Sequence, residues 1–402
     1  MAHGFIQPNR RTSETIEDTG RSYFRSLVRR SFFQRAHVDC IGEEHSYSLS
    51  ETMHDLASLV SGEDCKCYMM GEPYSLPAEV RHLSGVFNRD ASQGIFEVIS
   101  CGEFLHTFIV LGGSEDLELK IPNDIGERFT RLRTLDLSNF GVTDLPESIG
   151  KLKHLRCLQL QGTEIKFLPE SMWDLYNLQT LGLGNCYDLK KLPLGLKKLR
   201  KLRHIDLSMT PDRLHNVCSL ECMPKGVGLP TDLQTMSRFV ISERNSGIPT
   251  HRASIEELAD LKSLHGKLLI SNLHLVKHVR EAAKAQLSSK QFLQNLELSW
   301  SNNDDKSEKI LEYLKAPTEI TELTLLGYPG MECSGWLGSA EYTKLVTVCL
   351  YDFQGCSVLP PLGMLPVLET LHLKGWDRLI SMNCSEFVVL GRMNYTKLDS
   401  NL

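Results

Sequence analysis

The sequence predicts an α/β solenoid, a curved parallel sheet made of stacked short units, preceded by a partial α-helical winged-helix segment. Three observations predict it. Four segments repeat in register from Leu132, Leu155, Leu178 and Leu202, at steps of 23, 23 and 24 residues. Each carries L-x-x-L-x-L, whose alternation is that of a half-buried strand. The first three follow it with a Leu-Pro pair, at Leu145-Pro146, Leu168-Pro169 and Leu192-Pro193. The period lies in the range of leucine-rich repeats, whose units cannot bury their leucines alone and therefore stack.

Within a unit the alternation assigns direction. Leu135 and Leu137, Leu158 and Leu160, Leu181 and Leu183, and Ile205 and Leu207 are expected inward. The residues between them then line a concave sheet. Weaker copies extend the array upstream, at Leu105-x-x-Phe108-x-Val110 and Val80-x-x-Leu83. Downstream they recur at Leu293, Ile320, Leu345 and Leu368, with steps of 27, 25 and 23 residues. The total is about twelve repeats.

The organisation read from this is a partial winged helix over 1–63 and a repeat domain over 64–402. Units are regular over about 132–209 and irregular over about 210–292. Irregular units are expected near Leu233 and Leu264. The helical spacing of RASIEELADLKSL and VREAAKAQLSSKQFL predicts two inserted helices. The last residues, NYTKLDSNL, show no polar cap, so the array is expected to be cut short or to fray there.

Before the repeats, apolar residues at 16, 23, 24, 27, 28 and 32 mark an amphipathic helix. YSLS reads as a short strand and TMHDLASLV as a second helix, with Thr52 and Asp55 spaced as a capping box.

Composition excludes several classes. With 41% hydrophobic residues the chain is globular, and a formal net charge of -6 argues against bulk nucleic-acid binding. No apolar leader core and no membrane-spanning stretch is present. Twelve scattered Cys fit free thiols in a reducing compartment. Cys65 and Cys67 lack the second pair a zinc site needs, so no metal is expected. No G-x-S-x-G, no H-E-x-x-H and no phosphate-cradling G-x-x-x-x-G-K-[ST] occurs, so no enzyme is expected.

Further residues carry meaning as motifs. Tyr23 to Gln34 reads Y-F-x-x-L-V-x-R-S-F-F-Q, and Met53 to Ala57 reads M-H-D-L-A. Leu264-H-G-K-L, E-A-x-x-A-x-L from Glu281, L-x-L-S-W ending at Trp300, G-Y-x-G from Gly327 and L-P-P-L-G-x-L-P from Leu359 follow. Together they resemble the plant coiled-coil-type nucleotide-binding leucine-rich-repeat (NB-LRR) disease-resistance proteins, over roughly residues 15 to 380.

The resemblance implies a role in plant innate immunity. The repeat domain would recognise a pathogen effector or a guarded host protein and regulate the defence response. It also implies contact, within the molecule or in trans, with an NB-ARC or coiled-coil module. In that family the His of M-H-D contacts ADP or ATP, a role that maps to His54 with Asp55 in support. The absent phosphate loop means that the chain is expected to begin inside the winged helix. Nucleotide would then be held only by a longer product. Two alternatives stay open: an ADP/ATP-binding switch if the missing module lies upstream, or a general protein-binding scaffold. The cytoplasm is the implied location, with the plasma-membrane periphery or the nucleus as alternatives.

The expected protein-binding surface is the concave face. In the regular units it comprises Thr134, Asp136, Ser138, Cys157, Gln159, Gln161, His204, Asp206 and Ser208. In the later units it comprises Asn295, Glu297, Ser299, Glu322, Thr324, Tyr351, His372 and Lys374. Its mixed polarity suits a protein epitope. The basic run Lys190, Lys191, Lys197, Lys198, Arg200, Lys201 and Arg203 reads first as a solvated outer face, with an acidic dock as the alternative. The stripe Arg21, Arg25 and Arg29 reads as the surface of a structural module, not as a phosphate grip. Trp300 is expected at the concave rim, and Trp336 and Trp376 in packing.

Overall fold

The computed structural model describes residues 2–7, 15–35, 47–68, 79–86, 96, 103–111, 119–210, 219–230, 232–242, 252–301, 306–353, 355–376 and 378. The end of the chain, where the fraying was expected, lies outside them.

Helix α1 spans Ile16–Arg29 and opens on a capping box, in which the Thr15 hydroxyl accepts from the Asp18 N–H and the Asp18 carboxylate accepts from Thr15. Strands β1 (Phe33–Arg35) and β2 (Tyr47–Leu49) pair antiparallel. Phe24 locks the helix onto that hairpin, edge-on to Tyr47 at 4.9 Å and 5.3 Å from Phe33. Helix α2 is Glu51–Ser61. Its N-cap is Ser50 rather than Thr52. Ser50 already has extended backbone on leaving β2, and its carbonyl accepts from the His54 N–H at 2.8 Å. Thr52 and Asp55 therefore lie inside the helix, and the expected capping box does not form.

From Cys65 the chain is a stack of parallel strands. The first sheet runs β3 (Cys65–Tyr68), β4 (His82–Val86), β5 (Thr107–Leu111), β6 (Thr134–Asp136), β7 (Cys157–Gln159), β8 (Thr180–Gly182), β9 (His204–Asp206) and β10 (Thr235–Met236). The second runs β11 (Arg238–Val240), β12 (Gly266–Ser271), β13 (Leu293–Ser299), β14 (Glu322–Leu326), β15 (Thr347–Tyr351) and β16 (Thr370–Lys374). The 14 strands make thirteen rungs among the described residues, because β10 and β11 share one extended segment. This is one more than expected, and β3 supplies a rung ahead of Val80.

Three sequence features build each rung. The alternating leucines point inward; Leu135, Leu158 and Leu181 are all 0% exposed. After seven of the strands the backbone turns through positive φ at one column: Asn139, Gly162, Asn185, Asn272, Gly327, Asp352 and Gly375. Asn, Asp and Gly tolerate that conformation best. At Gly327 a side chain is doubly excluded, since a Cβ would lie 2.3 Å from the Trp300 carbonyl oxygen. The prolines of the Leu-Pro pairs, Pro146, Pro169 and Pro193, then cap short 3-10 helices with φ of -71, -67 and -64°. The pyrrolidine ring already holds that angle.

The two helices expected as insertions are return segments of ordinary rungs. Val279–Lys284 is a short α-helix, as expected, feeding β13, whereas Ile255–Asp260 is a 3-10 helix feeding β12. Ile255, Leu258, Leu261 and Leu264 recur every third residue and are all buried. That spacing serves a 3-10 turn as well as an α-helix, which is why periodicity alone predicted the wrong element. Trp300 also departs from expectation. It is 3% exposed and packs edge-to-face on Tyr328 at 5.2 Å, heading an aromatic column through Phe353 to Trp376. Filling the space between rungs removes more apolar area from water than the rim would. Trp336 and Trp376 are buried, their indole N–H groups donating to the carbonyls of Leu311 and Cys356.

The sheets meet at Ser237. Thr235 and Met236 pair back to β9, and Arg238 onward pairs forward to β12. At the crossing, the Ser237 hydroxyl accepts from the Leu207 N–H at 2.6 Å and donates to Asp206 at 3.1 Å. A side chain thus stands in for the missing ladder bond. Ser237→Ala leaves that N–H unpaired and is expected to destabilise the array by about 1–2 kcal/mol. Urea unfolding read by circular dichroism checks this, and an unchanged midpoint would show that the seam carries no load.

Candidate functional site

Strand register sorts the concave face into rows. In the first sheet one row runs Cys65, His82, Thr107, Thr134, Cys157, Thr180, His204 and Thr235. The next runs Cys67, Ser84, Ile109, Asp136, Gln159, Gly182 and Asp206. Ser138, Gln161 and Ser208 follow at the strand ends. Thr180 belongs with them although the sequence does not single it out, since the next two outward positions of its unit are the glycines Gly182 and Gly184.

Several of these side chains are engaged within the sheet. Asp136 accepts from both the N–H and the hydroxyl of Ser138, at 3.0 and 2.6 Å. Asp206 accepts from the Ser208 N–H at 2.9 Å and from the Gln161 amide at 3.1 Å. Gln159 lies over Gly182, in space that a Cβ would fill. Burial, with Asp136 nearby, pushes the Cys157 thiol up to about 11, so it is no nucleophile at neutral pH.

The chain's own N-terminal segment reaches across this sheet. The Arg156 guanidinium donates to the Ala2 carbonyl at 3.0 Å. His3 Nε2 lies 3.0 Å from the Thr107 hydroxyl, which also meets His82 Nδ1 at 2.9 Å. At the start of α1, Glu17 takes a two-pronged bond from Arg203, Nε to Oε1 and Nη2 to Oε2, both 2.6 Å. His204 Nε2 sits 3.1 Å from Glu17 Oε1, and its Nδ1 is 3.1 Å from the Thr235 hydroxyl. With its amide turned to satisfy both neighbours, Gln234 bridges Glu17 and Arg203. The three side chains Glu17, Arg203 and His204 are only 12, 18 and 19% exposed. Burial opposes the Glu17 charge, but the bonds from His204 and Arg203 outweigh it and hold the carboxyl far below the usual carboxylate range.

The expectation of an open ligand surface across all the rungs is therefore corrected for the first sheet. His204 is held by α1, and the N-terminal residues lie over the rows at Thr107 and Arg156. The gripping residues, Arg156 and Arg203, come from a column outside the expected surface, the position just before each strand, which also holds Arg133 and Gln179. The signal was present as L-R-x-L/I in three of the four regular units. Arg203 had been grouped with the basic run, yet it turns to the concave side. Of the other basic residues, Lys191 pairs with Glu221 at 3.3 Å and Lys201 donates to the Asn177 side chain at 2.7 Å. Arg21 bonds Asp18 one turn away on the exposed side of α1.

The second sheet presents its rows outward. Lys267, Asn295, Glu322, Thr347 and Thr370 form one; Glu297, Thr324, Cys349 and His372 another; Ser299, Leu326, Tyr351 and Lys374 the third. Lys267 pairs with Glu297 at 2.9 Å, and Asn295 donates to Glu322 at 2.6 Å. Burial raises both the Tyr351 phenol and the Cys349 thiol, keeping them neutral. The face is acidic at Glu297 and Glu322 and basic at Lys374.

His54 and Asp55 stand on α2, 3.7 Å apart and 70 and 78% exposed. Nothing in the chain's sequence supplies a phosphate loop to place beside them. These residues alone do not fit a nucleotide site.

Residues 1–57 match the disease resistance protein winged helix domain family, and residues 255–376 match the R13L1/DRL21 LRRs. A putative disease resistance protein of Arabidopsis thaliana is 34% identical over 92% of this chain and 26% of its own length. The putative disease resistance protein RGA4 of Solanum bulbocastanum is 30% identical over 93% and 34%. The putative disease resistance RPP13-like protein 1 of Arabidopsis thaliana is 32% identical over 95% and 36%. The chain thus spans about a quarter to a third of the length of these relatives. Among solved structures, a leucine-rich-repeat protein of Leptospira interrogans overlays 75% of this chain and 81% of its own, at 20% identity and TM-score 0.42.

Two expectations follow for the docked segment. Glu17→Gln keeps the shape but removes the charge facing Arg203, and should weaken docking by roughly 2 kcal/mol. Hydrogen exchange over residues 15–29 should then rise while the repeat core stays protected; unchanged exchange would refute the clasp. The second concerns pH. Burial, with His82, Arg133 and His106 adding to it, lowers His3 to about 4; burial also lowers His82, where Asp64 opposes and Arg81 and Arg133 add, and His106, where Arg133 and His82 add. A lowered histidine takes its proton less readily folded than unfolded, so its docking weakens as pH falls from about 6.5 towards 4. Glu17 runs on a different window: its contribution is full above the unfolded carboxyl value of 4.5 and is lost only as pH falls through its depressed folded value. Residues 2–7 should therefore lose exchange protection between pH 6.5 and 4.5 while α1 retains it. Simultaneous loss at both ends would contradict the assignment.

Proposed function

We propose, from the membership of this chain in the plant disease-resistance proteins of the nucleotide-binding leucine-rich-repeat type, that it recognises a protein and restrains or releases a defence response accordingly. The recognised protein is a pathogen effector or a guarded host protein. The recognition surface is the concave face of the second sheet, and the observation that carries this is the division between the two sheets. The first is held by the chain's own α1 through Glu17 and Arg203; the second offers Glu297, Glu322, Tyr351, His372 and Lys374 outward. Opposite charges separated on one face suit the electrostatic selection of one partner over others.

Restraint is supported by the winged-helix segment. Leu56, Leu59 and Val60 of α2 are 48, 80 and 77% exposed, a contiguous apolar face on one short helix. An NB-ARC or coiled-coil module, in the same polypeptide or in trans, is the partner that we assign to it. Nucleotide, ADP or ATP, would enter only through such a module, with His54 and Asp55 contributing from α2. The role is one of binding without catalysis, in the cytoplasm. No described helix is long and apolar enough to cross a membrane.

The test is a two-hybrid selection of effectors and plant proteins with this chain, followed by variants. Joint Glu297→Lys and Glu322→Lys substitution should weaken a selected partner tenfold or more, on the order of 1.4 kcal/mol or above. Ser138→Ala, on the first sheet, should not. Equal binding by all three proteins would overturn the surface.

A further inference from the structure

Two cysteines on neighbouring rungs meet near the C-terminal end of the described array. Cys333 lies after the Tyr328 turn, just ahead of the short helix Gly335–Gly338, and Cys356 occupies the corresponding return of the next rung. Their sulfur atoms are 3.4 Å apart. Cys356 is 1% exposed, while Cys333 is partly exposed and is flanked by exposed Glu332 and by Met331 at 70%. No bond joins them in this structure, and both are free thiols.

We infer that Cys333 and Cys356 form a reversible oxidation site, closing to a disulfide when hydrogen peroxide is the oxidant and reopening with a thiol reductant.

The geometry is poised for closure. A disulfide needs the sulfurs at about 2.05 Å, so the pair must close by a little over 1 Å. Cys333 can supply that movement, since it is partly exposed on a loop segment ahead of the short helix Gly335–Gly338. Cys356 cannot, because it is wedged in the core with its thiol 3.0 Å from the Val358 carbonyl and its own carbonyl accepting from the Trp376 indole at 2.6 Å. One sulfur is thus fixed and the other adjustable. The S–H···S hydrogen bond favours loss of one proton from the pair, the remaining thiol donating to the thiolate that forms.

The chemistry then balances. As the member that solvent reaches, Cys333 meets the peroxide: its thiolate attacks one peroxide oxygen and breaks the O–O bond, giving a sulfenic acid and, after protonation, one water. The Cys356 sulfur attacks the sulfenic sulfur; the S–S bond forms, the S–O bond breaks, and its hydroxyl leaves with the Cys356 proton as a second water. Two thiols are oxidised by two electrons and one peroxide is reduced. The bond would staple rungs 23 residues apart, behind strands β14 to β16, which carry the outward residues Glu322, Tyr351 and Lys374. Stiffened rungs lower the cost of ordering that face on binding.

The experiment treats the full chain with about one equivalent of hydrogen peroxide and maps its peptides without reduction. The expected result is a Cys333–Cys356 cross-linked peptide lighter by about two mass units, reversed by dithiothreitol. Hydrogen exchange in β15 and β16 should slow on the order of tenfold. Cys356→Ser should abolish the cross-link and leave a dimedone-reactive sulfenic acid on Cys333. The inference is overturned if Cys333 gains oxygen without a cross-link in the unsubstituted chain, or if the cross-link joins other cysteines. Partner binding does not enter this readout, so it stands or falls separately from the recognition surface.

Discussion

No rung of this molecule can keep its leucines dry alone. Leu158 is fully buried only because Leu135 lies on one side and Leu181 on the other. This mutual dependence is the constraint on which the rest of the structure depends. It forces strands into parallel register, and register turns single outward residues into continuous rows. It also sets what may stand after each strand, because the chain must leave the sheet within one or two residues to return around the core. Hence the column of Asn, Gly and Asp at positive φ.

Rows confer a second property. A position that recurs once per repeat becomes a line of like groups spaced by one strand separation. The line Arg133, Arg156 and Arg203 is one such row, interrupted by Gln179. It meets the N-terminal segment at two points, a backbone carbonyl at Ala2 and a carboxylate at Glu17. The two ends differ chemically. At the Glu17 end a planar guanidinium matches a carboxylate prong for prong, and low exposure limits the competition from water. At the His3 end three imidazoles crowd one another and Arg133, and they hold together only while uncharged. A family defined by winged helix and repeats thus has, in this chain, a direct side-chain link between the two parts.

Part of the outcome could be read in advance and part could not. The repeat, the inward leucines and the outward rows were legible because alternation and period act through local geometry. So were the two helices ahead of them and the strand at 47–49, though not its partner strand Phe33–Arg35. Segment 255–260 is a 3-10 helix where an α-helix is expected, because an apolar residue every third position serves both geometries; 279–284 is helical as expected, but as the return of a rung and not as an insertion. The Thr52 cap failed because Ser50, two residues earlier, already had the extended backbone a cap requires. Trp300 was placed on the rim, since its position one residue past a strand does not reveal which way the backbone turns.

What the sequence by itself determined about this protein is the architecture and its family: a leucine-rich solenoid behind a winged-helix segment, of the plant disease-resistance type. These follow from short-range periodicity and from motifs that keep their meaning wherever the chain folds. Only the tertiary structure decided which half of the concave face is open. That depends on Glu17 meeting Arg203, 186 residues away, as the Cys333–Cys356 pair depends on its two rungs being adjacent. Contacts of that separation are set by how the rungs stack and where the leading helix lands, and no local pattern encodes them.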